Sequence, residues 1–194
     1  MSAIKRNVYS IVVIGDSQVG KTCMIHKLCY GCIPIDYEPT IEDLHTAIVL
    51  TEKLEITETT IDDLAKPLRR ESLKRADAVL FVYDSQNAKS TDNLFWYLEE
   101  LREAHQWKSF RSLPTVCIVV GLAKHVGPVD QSALSNAKSF AEHWGLEHVN
   151  ARLKSVSVQT VFEKCVFMIE ERRDQLAGIN VQLQHDSSKC CEIM

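Results

Sequence analysis

The sequence predicts an α/β domain built on a mainly parallel sheet with helices on both faces. Three observations carry that prediction. Near-continuous apolar runs recur at Asn7 to Ile14, Ala78 to Tyr83 and Pro114 to Gly121, as expected of strands buried on both faces. Segments with apolar residues three and four apart lie between them. The alternation of the two fits β-α-β units, with a sheet covered on both sides. A chain of 194 residues supplies one domain with a sizeable core.

Each element follows from its own pattern. Asn7 to Ile14 is the first strand. Lys5 and Arg6 ahead of it loosely resemble the start of a signal peptide. The apolar part is short, however, and runs into Gly15-Asp16 without a small-residue cleavage site. Lys21 to Tyr30 is helical, with Met24, Ile25, Leu28 and Cys29 on one face. His45 to Thr51 and Lys53 to Thr59 form a hairpin pair. Ala78 to Tyr83 is the next strand. Thr91 to Trp107 is a long helix with Asp92 near its start. On it, Phe95, Trp96 and Tyr97 divide between core and edge. Pro114 to Gly121 is a strand, and Asp130 to Trp144 a helix stopped by Gly145. His148 to Leu153 is the last of six strands. Thr160 to Leu176 is the last helix, ended by Gly178. Beyond it the chain turns polar through Asn180, Gln182, Gln184, His185, Asp186, Ser187 and Ser188. The expected organisation is a domain over 5–177 and a flexible tail over 178–194.

Composition excludes several classes. The chain is 45% hydrophobic and 25% charged, which argues against overall disorder. A net charge of -4 gives no global basic field for nucleic acid. No apolar run reaches the roughly 18 residues of a membrane-spanning helix. Seven cysteines, odd in number and scattered, point to reduced thiols rather than a disulfide framework. The histidines form no pair at metal-ligand spacing.

The most specific motif is Gly15-Asp16-Ser17-Gln18-Val19-Gly20-Lys21-Thr22, set between a strand and a helix. A glycine-punctuated loop aims backbone N–H groups at phosphate oxygens, and the helix N-terminus adds its dipole. The candidate contacts are Gly15, Ser17, Gln18, Val19, Gly20, Lys21, Thr22 and Cys23. Lys21 is placed to reach the β- and γ-phosphates, and the Thr22 hydroxyl to ligate Mg²⁺. The competing reading is a strand–helix turn without a ligand.

With Tyr37-Glu38-Pro39-Thr40-Ile41-Glu42-Asp43 following that loop, the sequence resembles the Ras superfamily of small GTPases, and the Ras family most closely. The likeness spans about residues 5 to 175 plus the last four. It implies a three-layer P-loop fold on a six-stranded, mostly parallel sheet. It implies GTP/GDP and Mg²⁺ as ligands, with Tyr37 and Thr40 at the nucleotide and Thr40 on the metal. Tyr37, Glu38, Pro39, Ile41, Glu42 and Asp43 would form the surface that meets an effector protein. Exchange factors are further implied partners, and the chain is expected to be a monomer that binds no nucleic acid.

Departures from the family pattern are as informative. The family's Asp-x-x-Gly-Gln run corresponds to Glu58-Thr59-Thr60-Ile61-Asp62. Glu58 keeps a carboxylate for the metal, one methylene longer. Ile61 replaces a glycine, and Asp62 stands at the catalytic glutamine position, where an anion repels phosphate. Ser17 and Gln18 also depart within the loop. The guanine-reading Asn-Lys-x-Asp corresponds to Leu122-Ala123-Lys124-His125. A later base-contacting segment keeps only Lys154, in Arg152-Leu153-Lys154. Ile33 stands where the family places an aromatic under the base.

The chain ends Cys190-Cys191-Glu192-Ile193-Met194. The last four residues fit C-a-a-X, with Met favouring farnesyl on Cys191. One lipid holds a protein only marginally, so a second signal is needed. Cys190, by palmitoylation, is the candidate, because Lys189 is the one nearby base. Met1-Ser2 excludes myristoylation. The expected function is a Ras-like GTP-binding switch with impaired hydrolysis and weakened guanine specificity. It would be lipid-anchored on the cytoplasmic face of the plasma membrane or endomembranes. The alternative is a pseudo-GTPase: a lipid-anchored interaction module without a nucleotide cycle. An ATP-directed P-loop kinase fits less well, lacking a second substrate domain and an Arg-rich lid.

Overall fold

The structure, a computed structural model, describes residues 8–34, 42–59, 65–107 and 115–190, without the side chains of 178–190. The strands are β1 (Val8–Ile14), β2 (Glu42–Val49), β3 (Glu52–Thr59), β4 (Ala78–Asp84), β5 (Val116–Ala123) and β6 (Glu147–Arg152). The helices are α1 (Lys21–Tyr30), α2 (Lys66–Arg75), α3 (Leu94–His105), α4 (Gln131–Trp144) and α5 (Ser157–Cys190). The six strands form one sheet in the order β2-β3-β1-β4-β5-β6. β2 runs antiparallel to β3, and the other pairings are parallel. The expected α/β architecture is therefore present.

The core lies on both faces of that sheet. Ile11, Val13, Leu80, Val82, Ile118 and Val120 point to one face, against Met24 and Ile25 of α1 and Phe162 and Val166 of α5. Val12, Ile14, Val79, Phe81 and Val119 point to the other, against Leu73, Tyr97, Leu98, Leu101 and Ala137. Every residue of β4 and β5 is buried, which is why both read as unbroken apolar runs.

Four readings need correction. The helix α2 was not anticipated, because its buried residues are Leu73 and a charged one, Arg69. The long helix expected from Thr91 begins instead at Leu94, after a 3₁₀ turn at Ala88–Thr91 capped by the Asn87 side chain. Gly178 does not stop α5, whose backbone continues to Cys190. A single interior glycine costs a helix about 1 kcal/mol, and no proline follows to end it. β2 also starts three residues earlier than expected, so Glu42 and Asp43 belong to an edge strand.

Candidate phosphate-binding site

The loop between β1 and α1 is shaped by close backbone approaches. A Cβ on Gly15 would stand 2.1 Å from the Val82 carbonyl oxygen of β4, so only glycine fits. Gly20 adopts φ +100°, a left-handed conformation, immediately before α1. Val19 turns its side chain into the core, while Ser17 and Gln18 stay exposed. Lys21, in the first turn of α1, is buried, and its ammonium donates to the carbonyls of Gly15 and Asp16, each at 2.9 Å. Burial lowers its pKa, while the carboxylates of Glu58 and Asp16 oppose that shift. The loop thus carries a desolvated cation folded over its own backbone. Cys23 lies half-buried against the core.

Thr22 donates its hydroxyl to Glu58 Oε1 at 2.7 Å. Glu58 is the penultimate residue of β3 and is buried, and its second oxygen and the Thr59 hydroxyl have no hydrogen-bond partner among the described residues. Adjacent hydroxyl and carboxylate oxygens with spare acceptor capacity suit a hard, oxygen-seeking cation such as Mg²⁺. No group of three or more His, Cys, Asp or Glu among the described residues could hold a metal. Phosphate and water oxygens would have to complete the shell. The residues fit the ion as part of a nucleotide complex.

Two contacts around the loop were not foreseen. The Asp16 carboxylate accepts from Asn93 Nδ2 at 3.0 and 3.2 Å and from the Tyr97 hydroxyl. Lys124 pairs with Asp84 at 2.9 Å and donates to the Gln18 carbonyl, joining the end of β5 to the phosphate loop. Asp16 and Tyr97 are 81 residues apart in sequence, so no local pattern signals the contact. A carboxylate inside a phosphate loop was the available clue, because it needs a neutralising partner.

The residues that the resemblance assigns to the base are arranged differently. Leu122 is fully buried and Ala123 nearly so, and neither side chain offers a hydrogen bond. The exposed His125 gives its backbone N–H to Gln86 Oε1 at 2.9 Å. Leu153 donates its backbone N–H to the Ala123 carbonyl at 3.0 Å, which brings the exposed Lys154 beside the end of β5. Ile33 is half-buried against the core. Tyr30 stacks edge-on against His26. Tyr37, Glu38, Pro39, Thr40, Ile41, Thr60, Ile61, Asp62 and Cys191 lie outside the described residues, as does the side chain of Cys190.

Several known proteins resemble the chain over most of its length. GTP-binding protein Di-Ras2 of Macaca fascicularis is 26% identical over 188 residues, covering 94% of this chain and 89% of that protein. Ras-like protein B of Aspergillus fumigatus is 24% identical over 197 residues, covering 90% and 82%. Rho-related GTP-binding protein RhoF of Mus musculus is 31% identical over a shorter span of 119 residues, 58% of this chain and 54% of its own. The family model described as Ras family matches residues 10–171, which takes in the phosphate loop, most of β1, the other five strands and the greater part of the domain. With the sheet order and the Lys21–Thr22–Glu58 arrangement, this settles the assignment: the chain belongs to the Ras family of small GTP-binding signalling proteins.

Proposed function

We propose that the chain is a membrane-anchored signalling protein that binds a nucleoside di- or triphosphate with Mg²⁺, discriminates weakly between bases and hydrolyses poorly. The observation that carries the reading is the buried Lys21 folded over the loop beside the Thr22–Glu58 pair. On phosphate binding, the ammonium exchanges its two backbone acceptors for phosphate oxygens, and backbone N–H groups of the loop and of the first turn of α1 turn to the anion. Thr22, Glu58 and, from the sequence, Thr40 would hold Mg²⁺, which supplies positive charge among the phosphate oxygens. Tyr37 to Asp43 would form the effector surface, with Glu42 and Asp43 on the exposed edge of β2.

Impaired hydrolysis is argued from Ile61 and Asp62. A negative charge beside the γ-phosphate opposes the charge that develops there, and an isoleucine restricts backbone that must close on it. Anchoring rests on Cys191 and Cys190. Among the described residues no helix is long and apolar enough to cross a membrane. The buried, apolar Leu122 favours a second reading, a lipid-anchored interaction module without a nucleotide cycle.

The deciding experiment is chromatography of the nucleotide released on denaturing the purified protein, with thermal melts of wild type and Lys21→Ala. Bound guanine or adenine nucleotide, and a melting shift with GTP or ATP and Mg²⁺ that Lys21→Ala abolishes, are expected. A wild type that carries nothing and shows no shift with millimolar GTP, ATP or their diphosphates favours the module.

A further inference from the structure

We propose that α3 positions the phosphate loop: Tyr97 and Asn93 hold the Asp16 carboxylate away from the anion cradle and so set how strongly the loop binds phosphate. The proposal rests on the phosphate-binding reading above. Asp16 is the second residue of the loop, between Gly15 and Ser17. A free carboxylate there would repel the polyanion that the loop is built to hold. Its oxygens instead take three hydrogen bonds from α3. Asn93 is the residue that precedes the first turn of α3, where an asparagine side chain normally caps its own helix. Here it makes no such cap and gives its amide to Asp16. The negative charge thereby faces the positive end of the α3 dipole.

The donors are held rigidly. Tyr97 is fully buried, and burial followed by the Asp16 bond pushes its phenol pKa far up, so it remains a donor. Asn93, Tyr97 and Glu100 fall at i, i+4 and i+7, along one face of α3. Glu100 grips the fully buried Arg69 of α2 with both carboxylate oxygens, at 2.5 and 2.8 Å. The face that restrains Asp16 is therefore pinned to α2. Geometry adds a second effect. The Asp16 carbonyl is one of the two seats of the Lys21 ammonium, so displacing Asp16 also moves the cation.

The test is titration calorimetry of the full-length chain with GDP and, separately, inorganic pyrophosphate, each with Mg²⁺. Tyr97→Phe should weaken both probes by about tenfold, the scale of one hydrogen bond to a charged group. Asp16→Asn should tighten both. In the Asp16→Asn background, Tyr97→Phe should change affinity by less than about threefold, because its effect runs through the carboxylate. An equal loss in both backgrounds would reduce Tyr97 to a packing residue and overturn the proposal. Should Tyr97→Phe fail to fold, Asn93→Asp, which sets a like charge beside Asp16, must weaken both probes. Unchanged binding there overturns the proposal equally. A wild type that binds neither probe removes the phosphate-binding reading and this one with it. A wild type that binds while both variants match it removes the positioning role alone.

Discussion

Guanine recognition is where this chain should differ most from its relatives, and the size of the difference follows from the end of β5. Guanine presents two adjacent N–H groups that a carboxylate accepts together, whereas adenine offers no such pair. Leu122 is fully buried and apolar, Ala123 is buried, and Lys124 is engaged with Asp84 and the Gln18 carbonyl. His125 supplies a ring in place of a carboxylate. Two missing hydrogen bonds to a charged acceptor, at about 1.5–3 kcal/mol each, amount to about 3–6 kcal/mol. That is about two to four decades of selectivity, at about 1.4 kcal/mol per decade. The perturbation is His125→Asp, on an exposed residue whose observed hydrogen bond uses only its backbone N–H. Wild type and variant would be compared by competition of GTP and ATP against a fluorescent nucleotide. Wild type should prefer GTP by far less than a thousandfold, and His125→Asp should raise that preference by at least about tenfold, the value of one recovered bond. A wild-type preference above about a thousandfold, some 4 kcal/mol, refutes the reasoning, because another residue would then be reading guanine. A ratio unmoved by His125→Asp refutes it too, by showing that position 125 does not face the base.

The remaining predictions concern stability, pH, hydrolysis and anchoring. Glu100→Ala removes the two-oxygen carboxylate partner of the buried Arg69 and should cost about 3–5 kcal/mol in chemical denaturation, whereas Arg69→Met/Glu100→Leu should recover most of it. A loss below about 1 kcal/mol would show the pair to be solvated in solution. Burial lowers the pKa of both His105 and His148, so the unfolded chain takes up their protons first. Stability should therefore be fully present above about pH 6.5 and fall as pH drops toward the lowered folded values. His105→Gln/His148→Gln should flatten that slope in melts between pH 7.5 and 5, and an unchanged slope rejects the attribution. Single-turnover GTP hydrolysis should rise in Ile61→Gly/Asp62→Gln relative to wild type, and a faster wild type reinstates an active enzyme. Fractionation should find Cys191→Ser soluble and Cys190→Ser weakly held on internal membranes, and a membrane-bound Cys191→Ser excludes the C-a-a-X reading.

What could be read from the chain in advance is what a local rule governs. β4 and β5 are buried on both faces and β1 nearly so, so their apolar runs are near-continuous. The phosphate loop was legible because its backbone demands glycine at 15 and 20, where a side chain meets Val82 or a left-handed φ. Glu58 was placed by its distance from β4, and its bond to Thr22 follows from β1 pairing with β3 in parallel register. The helix α2 was invisible, since one of its two buried side chains is Arg69, a residue that no hydrophobic pattern counts as core. Asp16, Tyr97 and Lys124 were missed for another reason. Their contacts join segments brought together only by the sheet order; Tyr97 and Lys124 taken alone look like ordinary core and surface, and the Asp16 carboxylate signals a need for a partner without naming it.

The division of the site suggests what evolution can remove from such a protein without losing the fold. The phosphate side is made largely of backbone: two glycines, a helix terminus, and carbonyls that seat Lys21. Those parts are tied to the packing of β1 against β4, so they persist as long as the core does. The residues that the family likeness assigns to the base are side chains at the end of β5, where Leu122 lies buried in the core. On the proposed reading, phosphate affinity and base selectivity are separable. A chain that keeps the first and loses the second binds whichever nucleotide is abundant, and its state reports occupancy of the phosphate loop rather than the guanine pool. In that case the contacts that tune the loop from outside, Tyr97 and Asn93 on Asp16 and Lys124 on Gln18, matter more than the residues that read the base.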